Sequence, residues 1–440
     1  MAHQLLRRAT CPHCWTPFLP EEVLWVSSHE DLLGDPRLGP DQLQRFLPTR
    51  FNIDGNAIDA KGLACHTLAC PRCHLSIPRA VLEMETLFVS ILGTPVCGKS
   101  YFLSALTWEL RRILPAHFAI SFGEADTVAN RSLTEYENAL FLNPNPHEPA
   151  PVLELIRKTE LEGDLYDKVN YGAQPVSYPR AFLFVLQALQ NHPNFRWANK
   201  LARTICLYDN AGEHFQVGRD STANPVTHHL AHSKFLLFLF DPTQDVRFRA
   251  LCASTDASRP DANQAPEHTY RQESVLLEAA ARVRRYAGLP QNAKHKRPLI
   301  VVLTKMDRWR HLLASPSFPD PWVARQDLSG FDLEAVDRRS QEIRALMARV
   351  CPEIVNAAES FAESVVYIPV SALGRTPEID PRTNALSIRP RDIKPTWVTV
   401  PLLYGICRWM TGFIPICKRR PEKSEASRSS TLRPKVVFPK

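Results

Sequence analysis

Apolar residues fall along this chain in two rhythms, and their order sets a class of fold before any chemistry is considered. Short runs that are almost wholly apolar or alternating occur at Leu87–Leu92, Phe118–Phe122, Ala181–Leu189, Leu201–Tyr208, Lys234–Phe240, Pro298–Thr304 and Val365–Val370. Runs of this length read as strands, and Lys234–Phe240 reads as a central strand covered on both faces. Helical spacing is found in Tyr101–Arg112, Ser132–Leu142, Gln272–Tyr286, Arg338–Val350, Ile354–Phe361 and Val400–Met410. Strands alternating with helices predict an α/β fold with a mostly parallel sheet and helices on both faces. The neighbouring runs Ala181–Leu189 and Leu201–Tyr208 are spaced as a hairpin-like pair.

Polar and proline-rich tracts punctuate this pattern. About 90 residues separate the first helix from the strand that ends at Asp209, and Asn143-Pro-Asn-Pro-His-Glu-Pro-Ala-Pro151 marks an exposed excursion within them. Asp241-Pro242-Thr243 reads as a turn, with the rim of a ligand site as its alternative, and Cys252–His268, rich in Asp, Ser, Ala and Pro, as a loosely held loop. The expected organisation is a small module over 1–84, a main domain over 85–416 with an insertion around 123–178, and a basic tail over 417–440.

Four words at the ends of the apolar runs carry candidate chemistry. Gly93-Thr-Pro-Val-Cys-Gly98-Lys99-Ser100 follows a strand and opens a helix, the setting of a phosphate-binding loop. Its backbone N–H groups can cradle phosphates, Lys99 can reach the β/γ oxygens and Ser100 can ligate Mg²⁺, with Tyr101 next in the helix. The helix N-terminus adds a favourable dipole. Asp209 closes the second word, placed to hold Mg²⁺ through water, and Gly212 follows where a backbone N–H could sense a γ-phosphate. Thr304-Lys305-Met306-Asp307 and Ser371-Ala372-Leu373-Gly374 end the last two strands.

In this order the four words resemble the P-loop GTPase superfamily, in its translation-factor and small-GTPase-like branch, over roughly residues 85 to 415. Within it the chain looks similar to bacterial double-GTPase proteins of conflict-associated systems. The resemblance implies that Asp307 accepts bonds from the guanine ring, that the Lys305 stem covers that ring, and that a backbone N–H at Ala372 meets the guanine O6. It further implies a switch that hydrolyses GTP to GDP and phosphate and signals to a protein effector or activator. Where small regulatory GTPases carry Gln after the Gly of the third motif, this chain has Glu213 and then His214. Both are candidate catalytic residues beside Lys99, and either could be a loop residue awaiting a partner's group. A GTP-binding scaffold or adaptor with little hydrolysis is the alternative, and an ATPase with an accidental Thr-Lys-x-Asp is a third. The switch hydroxyl is open among Thr159, Ser177 and Thr127.

The amino-terminal stretch has a different character. Cys11-Pro-His-Cys14 and Cys70-Pro-Arg-Cys73 are two Cys-x₂-Cys knuckles separated by 55 residues, resembling a zinc ribbon with a long insertion. Four thiolates suit tetrahedral Zn²⁺ and leave no open position for catalysis. Disulfides, or substitution of one ligand by Cys65, His66, His13 or His74, are the alternatives. Composition modifies this picture little. The chain has 440 residues, 44% of them hydrophobic, enough for one large core and an appendage. Of the formal charge of +7, the segment Cys417–Lys440 contributes eight Lys/Arg against two Asp/Glu. That tail reads as a disordered, solubilising terminus, with contact to nucleic acid or an anionic surface as the lesser option. Met1–Thr10 has no apolar core of signal-peptide length, and no stretch is long and charge-free enough to span a bilayer. A cytoplasmic location with reduced cysteines is the expectation.

Overall fold

The computed structural model describes residues 5–156, 166–209, 228–255, 271–324 and 328–417. Its centre is a seven-stranded sheet of β1 (Glu85–Gly93), β2 (Ile120–Glu124), β3 (Ala181–Ala188), β4 (Arg203–Asp209), β5 (Phe235–Phe240), β6 (Leu299–Leu303) and β7 (Val365–Pro369). The spatial order is β2-β3-β4-β1-β5-β6-β7. Strand β3 runs antiparallel to both of its neighbours, and the other pairings are parallel. The chain leaves β1 for one side of the sheet and later returns to its other side at β5, so the order reverses beside β1. A crevice at such a reversal, outside the carboxyl ends of the strands, is where open α/β sheets bind ligands.

The principal helices are α1 (Lys99–Phe118), α2 (Arg131–Phe141), α3 (Gln272–Tyr286), α4 (Leu333–Val350), α5 (Pro352–Phe361) and α6 (Val400–Trp409). Strand alternation divides the sheet into two buried faces. Val89, Ile91, Ile205, Leu207, Leu237 and Ile300 point to the face covered by α1 and α6. On the opposite face, Leu236, Phe238, Val301 and Leu303 pack with α3 and α5. The rest of that second face is closed by the N-terminal segment: Phe88, Leu183, Cys206 and Tyr208 share a core with Trp15 and the four knuckle cysteines.

The sheet follows the apolar runs closely; a helix over Val246–Thr255 takes in the first residues of the loop expected from Cys252, and two other boundaries move for physical reasons. Helix α1 does not stop near Arg112 but continues through Pro115 to Phe118, because Ile113, Leu114 and Phe118 remain buried on its apolar face. That burial outweighs the backbone bond that proline cannot donate. A left-handed Ala119, φ 52°, ends the helix, and the strand expected from Phe118 begins at Ile120 instead. Helix α4 starts at Leu333, five residues before the expected Arg338, where the Asp332 carboxylate accepts the Ala335 N–H at 2.9 Å. The long insertion also contains a hairpin, Tyr166–Tyr171 with Gln174–Pro179, and a short strand, Ala150–Pro151, that pairs with Leu386–Ile388. No helix among the described residues is long and apolar enough to cross a membrane.

Candidate functional site

All four sequence words lie at the carboxyl edge of the sheet. Strand β1 delivers the phosphate-type loop, β4 delivers Asp209, β6 delivers Thr304, Lys305 and Asp307, and β7 delivers Ser371, Ala372 and Leu373. A cavity of about 280 Å³ joins three of them, lined by Gly98, Lys99, Ser100 and Tyr101, by Thr304, Lys305 and Asp307, and by Ser371, Ala372 and Leu373. Residues more than 270 positions apart in sequence thus face one space.

The loop is tightly specified. A Cβ on Gly93 would lie 2.7 Å from the Leu239 carbonyl oxygen and 2.8 Å from Cys97 Sγ, so only glycine lets β1 pass β5 this closely. Gly98 has φ 93°, a conformation that glycine adopts without steric cost, and it precedes the first turn of α1 without offering a capping side chain. No side chain caps the start of α1, and an uncapped helix N-terminus is the kind of position that suits an anion. The Lys99 ammonium is buried and donates to the carbonyls of Gly93 at 3.1 Å and Thr94 at 2.8 Å. Behind the loop, Thr304 Oγ1 donates to the Cys97 carbonyl at 3.0 Å, and Gln244 Nε2 donates to that of Pro95 at 3.2 Å.

Ser100 and Asp209 meet directly, the serine hydroxyl donating to the carboxylate at 2.8 Å. A hydroxyl and a carboxylate together beside the Gly93–Ser100 loop form a hard-oxygen donor set, which could hold a cation such as Mg²⁺. At the other end of the cavity, Asp307 accepts hydroxyl bonds from Ser371 on Oδ1 and from Thr376 on Oδ2 at 3.1 Å. Ser371 Oγ in turn accepts the Gly374 N–H at 2.8 Å, which shapes the Ser371–Gly374 turn around the carboxylate. Lys305 adopts a left-handed backbone, φ 53°, and its ammonium pairs with Asp241 at 2.6 Å.

Asp241 forms the expected turn, its carboxylate accepting the Thr243 N–H at 2.9 Å, but it is also the counter-charge that holds Lys305. Sequence reasoning missed this pair, and it missed Gln244 as a brace for the loop. The clearest available signal was an acid at the end of a fully apolar strand. The wall formed by Val152, Leu153 and Ile156 was likewise unforeseen; it brings the long insertion to the cavity, with the Tyr101 hydroxyl donating to the Val152 carbonyl. Gly212, Glu213, His214 and Thr159 lie outside the described residues, as do residues 418–440 of the tail. Ser177 sits in the second hairpin strand and Thr127 lines a different cavity, and neither lines this one.

The knuckle cysteines converge as their spacing implies. Cys11 and Cys73 sulfurs are 3.8 Å apart, Cys14 and Cys70 sulfurs 3.7 Å, and all four lie within 4.8 Å of one another. Tetrahedral Zn²⁺ with the usual metal–sulfur length sets sulfurs roughly 3.8 Å apart. Backbone N–H groups of His13 and Arg72 donate to the Cys11 and Cys70 sulfurs, a pattern that stabilises thiolates. Burial pushes the Cys11 and Cys73 thiols up, whereas hydrogen bonding from Cys11, Cys70 and Cys73 holds Cys14 far below its ordinary range. The alternative ligands are committed elsewhere: Cys65 contacts the Leu63 carbonyl, His74 Nδ1 bonds Asp35 at 2.8 Å, and His13 Nε2 bonds the Ser76 carbonyl at 3.0 Å. His66 is exposed and not part of the cluster. In a second group of possible ligands, Asp245, Cys351 and Glu353, the two carboxylates are already bridged by the Arg247 guanidinium.

No protein-family model matches the sequence, and no curated protein does. Among solved structures, the chain is similar to a signal recognition particle receptor SRb-GTP/SRX complex from Chaetomium thermophilum. That match has 12% identity and a TM-score of 0.22, covering 68% of this chain and 97% of that one. It is also similar to the GTP-bound S. cerevisiae Ski7 GTPase-like domain, at 13% identity and TM-score 0.29, covering 74% of this chain and 50% of that one. With TM-scores this low, neither likeness bears on the chemistry of this chain, which stands on its own geometry.

Proposed function

We propose that the chain binds a guanine nucleotide with Mg²⁺, hydrolyses GTP to GDP and phosphate, and presents different surfaces to a protein partner in the two states. The observation that carries this is the single cavity lined jointly by the Lys99 loop, Asp307 and the Ser371–Leu373 turn, with the Ser100–Asp209 pair at its phosphate end. In this reading the backbone N–H groups of the Gly93–Ser100 loop other than Pro95, which has none, and those at the start of α1 hold the phosphates, and the Lys99 ammonium offsets charge on the β/γ oxygens. Bound Mg²⁺ would supply Lewis-acid neutralisation of that charge, held by Ser100 directly and by Asp209 through water. Asp307 takes the ring N–H and exocyclic amine of guanine, Lys305 covers the base while Asp241 fixes its ammonium, and the Ala372 N–H meets the guanine O6. Gly212 would sense the γ-phosphate, and Glu213 or His214 would orient the attacking water.

A structural Zn²⁺ held by Cys11, Cys14, Cys70 and Cys73 completes the proposal, supported by sulfur spacings that match a tetrahedral ion. Hydrolysis is tested by phosphate release from GTP under single-turnover conditions with Mg²⁺, comparing wild type with Lys99→Ala. Release by wild type and its loss in the variant is the expected result. Equal release from both proteins would remove Lys99 from the chemistry. Tight GTP binding with no release by wild type would leave a nucleotide-binding scaffold in place of an enzyme.

A further inference from the structure

We infer that the four-cysteine knuckle positions Asp209, acting through Trp15 and Tyr208, so that Zn²⁺ at one site and Mg²⁺-nucleotide at the other strengthen each other's binding. This rests on the guanine-nucleotide reading of the cavity. The physical link is short. Tyr208 is the residue before Asp209 on β4, and strand alternation sends the two side chains to opposite faces of the sheet. On one face, the Asp209 carboxylate receives the Ser100 hydroxyl at 2.8 Å. On the other, the fully buried Tyr208 hydroxyl donates to the carbonyl of Pro12, which lies between the ligands Cys11 and Cys14, at 2.6 Å.

The same hydroxyl accepts the Trp15 indole N–H at 3.0 Å, and Trp15 directly follows Cys14 in a left-handed conformation, φ 55°. Two consecutive parts of the knuckle therefore grip one phenol. The Tyr208 ring also stacks on His229 at 4.5 Å and on Phe88 at 6.4 Å. Ring packing alone would fix the strand approximately. The paired hydrogen bonds are directional and buried, and they tie the height of the β4 terminus to the knuckle backbone. A metal ion that sets the Cys11–Cys14 turn thereby sets the Pro12 carbonyl and Trp15, then Tyr208, then the backbone from which Asp209 reaches Ser100. Coupling of this kind is reciprocal in binding free energy.

The test measures equilibrium zinc affinity of the full chain by chelator competition, with nucleotide occupancy read in the same samples. Three conditions are compared: no nucleotide, GMP-PNP without added Mg²⁺, and GMP-PNP with saturating Mg²⁺. Zinc should bind roughly 5- to 150-fold tighter in the third condition than in the first, the usual range for coupled sites. The second condition should show little of that gain, because the link passes through Asp209. Tyr208→Phe keeps the ring and removes the hydroxyl, so it should abolish the gain while retaining stoichiometric zinc. Trp15→Phe serves the same purpose should the first variant fail to fold by circular dichroism. Unchanged wild-type zinc affinity at full nucleotide occupancy, or full coupling in the folded variant, overturns the inference. Absence of nucleotide occupancy in wild type overturns the guanine-nucleotide reading itself, and the inference with it.

Discussion

Asp307→Asn should abolish the preference for guanine while leaving the fold in place. The wild-type carboxylate is anchored by Ser371 on one oxygen and Thr376 on the other, so its plane is fixed at the end of the cavity. Facing guanine, it would accept two N–H groups as charge-assisted bonds, each contributing about 1.5–3 kcal/mol. The amide keeps one accepting oxygen, so the Ser371 bond survives, but its NH₂ points a donor at a donor. A loss of about 2–3 kcal/mol follows, equivalent to roughly 30- to 150-fold weaker GTP binding. ATP presents no such pair of donors and should be unaffected. Xanthosine triphosphate, with a carbonyl in place of the exocyclic amine, should bind the variant better than GTP does. Fluorescence anisotropy with labelled GTP, ATP and XTP in Mg²⁺ measures all three. A GTP-to-ATP affinity ratio unchanged by the substitution refutes the role given to Asp307.

Three other perturbations follow from particular contacts. Replacing Cys11 and Cys70 together by Ser removes one ligand from each knuckle, and zinc content measured by mass spectrometry should fall from one per chain to near zero; retained stoichiometric zinc would disprove the site. A Cβ on Gly374 would lie 1.7 Å from the Lys394 carbonyl oxygen at φ 73°, so Gly374→Ala should displace the Ser371 turn, cost more than about 2 kcal/mol of stability and weaken guanine binding. Chemical denaturation with a midpoint equal to wild type would contradict it. Burial raises the Asp59 carboxyl, but backbone N–H bonds from Leu63, His29, Ser28 and Lys61 outweigh this and hold it below the ordinary range. Its folded pKa is depressed, so its stabilisation is complete above the unfolded value near 3.9 and is lost as pH falls through the folded value. Asp59→Ala should therefore destabilise residues 28–65 at neutral pH by about 1–3 kcal/mol and flatten their acid dependence, as hydrogen exchange can read; an unchanged acid profile would count against it.

The sheet was legible because its strands are short and nearly all apolar, and β5 to β7 begin and end within a residue or so of their apolar runs. The cavity was legible because its contributing words each follow such a run. What escaped was long-range pairing of polar side chains. Nothing local to Asp241 announces a lysine 64 residues away, and nothing local to Tyr208 announces Pro12 or Trp15. Boundary shifts had a different origin: Pro115 is a helix breaker by intrinsic preference, and burial of Ile113, Leu114 and Phe118 overrides it. The insertion hairpin at Tyr166–Pro179 was hidden because its strands are polar on one face and contribute only Val169, Val176 and Tyr178 to the core.

Equilibrium binding of the purified protein to labelled GTP, GDP and ATP in Mg²⁺ tests the central claim most directly. GTP and GDP should each bind at least about tenfold tighter than ATP, the least discrimination expected from one charge-assisted bond to the base. Equal or tighter binding of ATP, or no binding of any nucleotide, would contradict the assignment of the cavity.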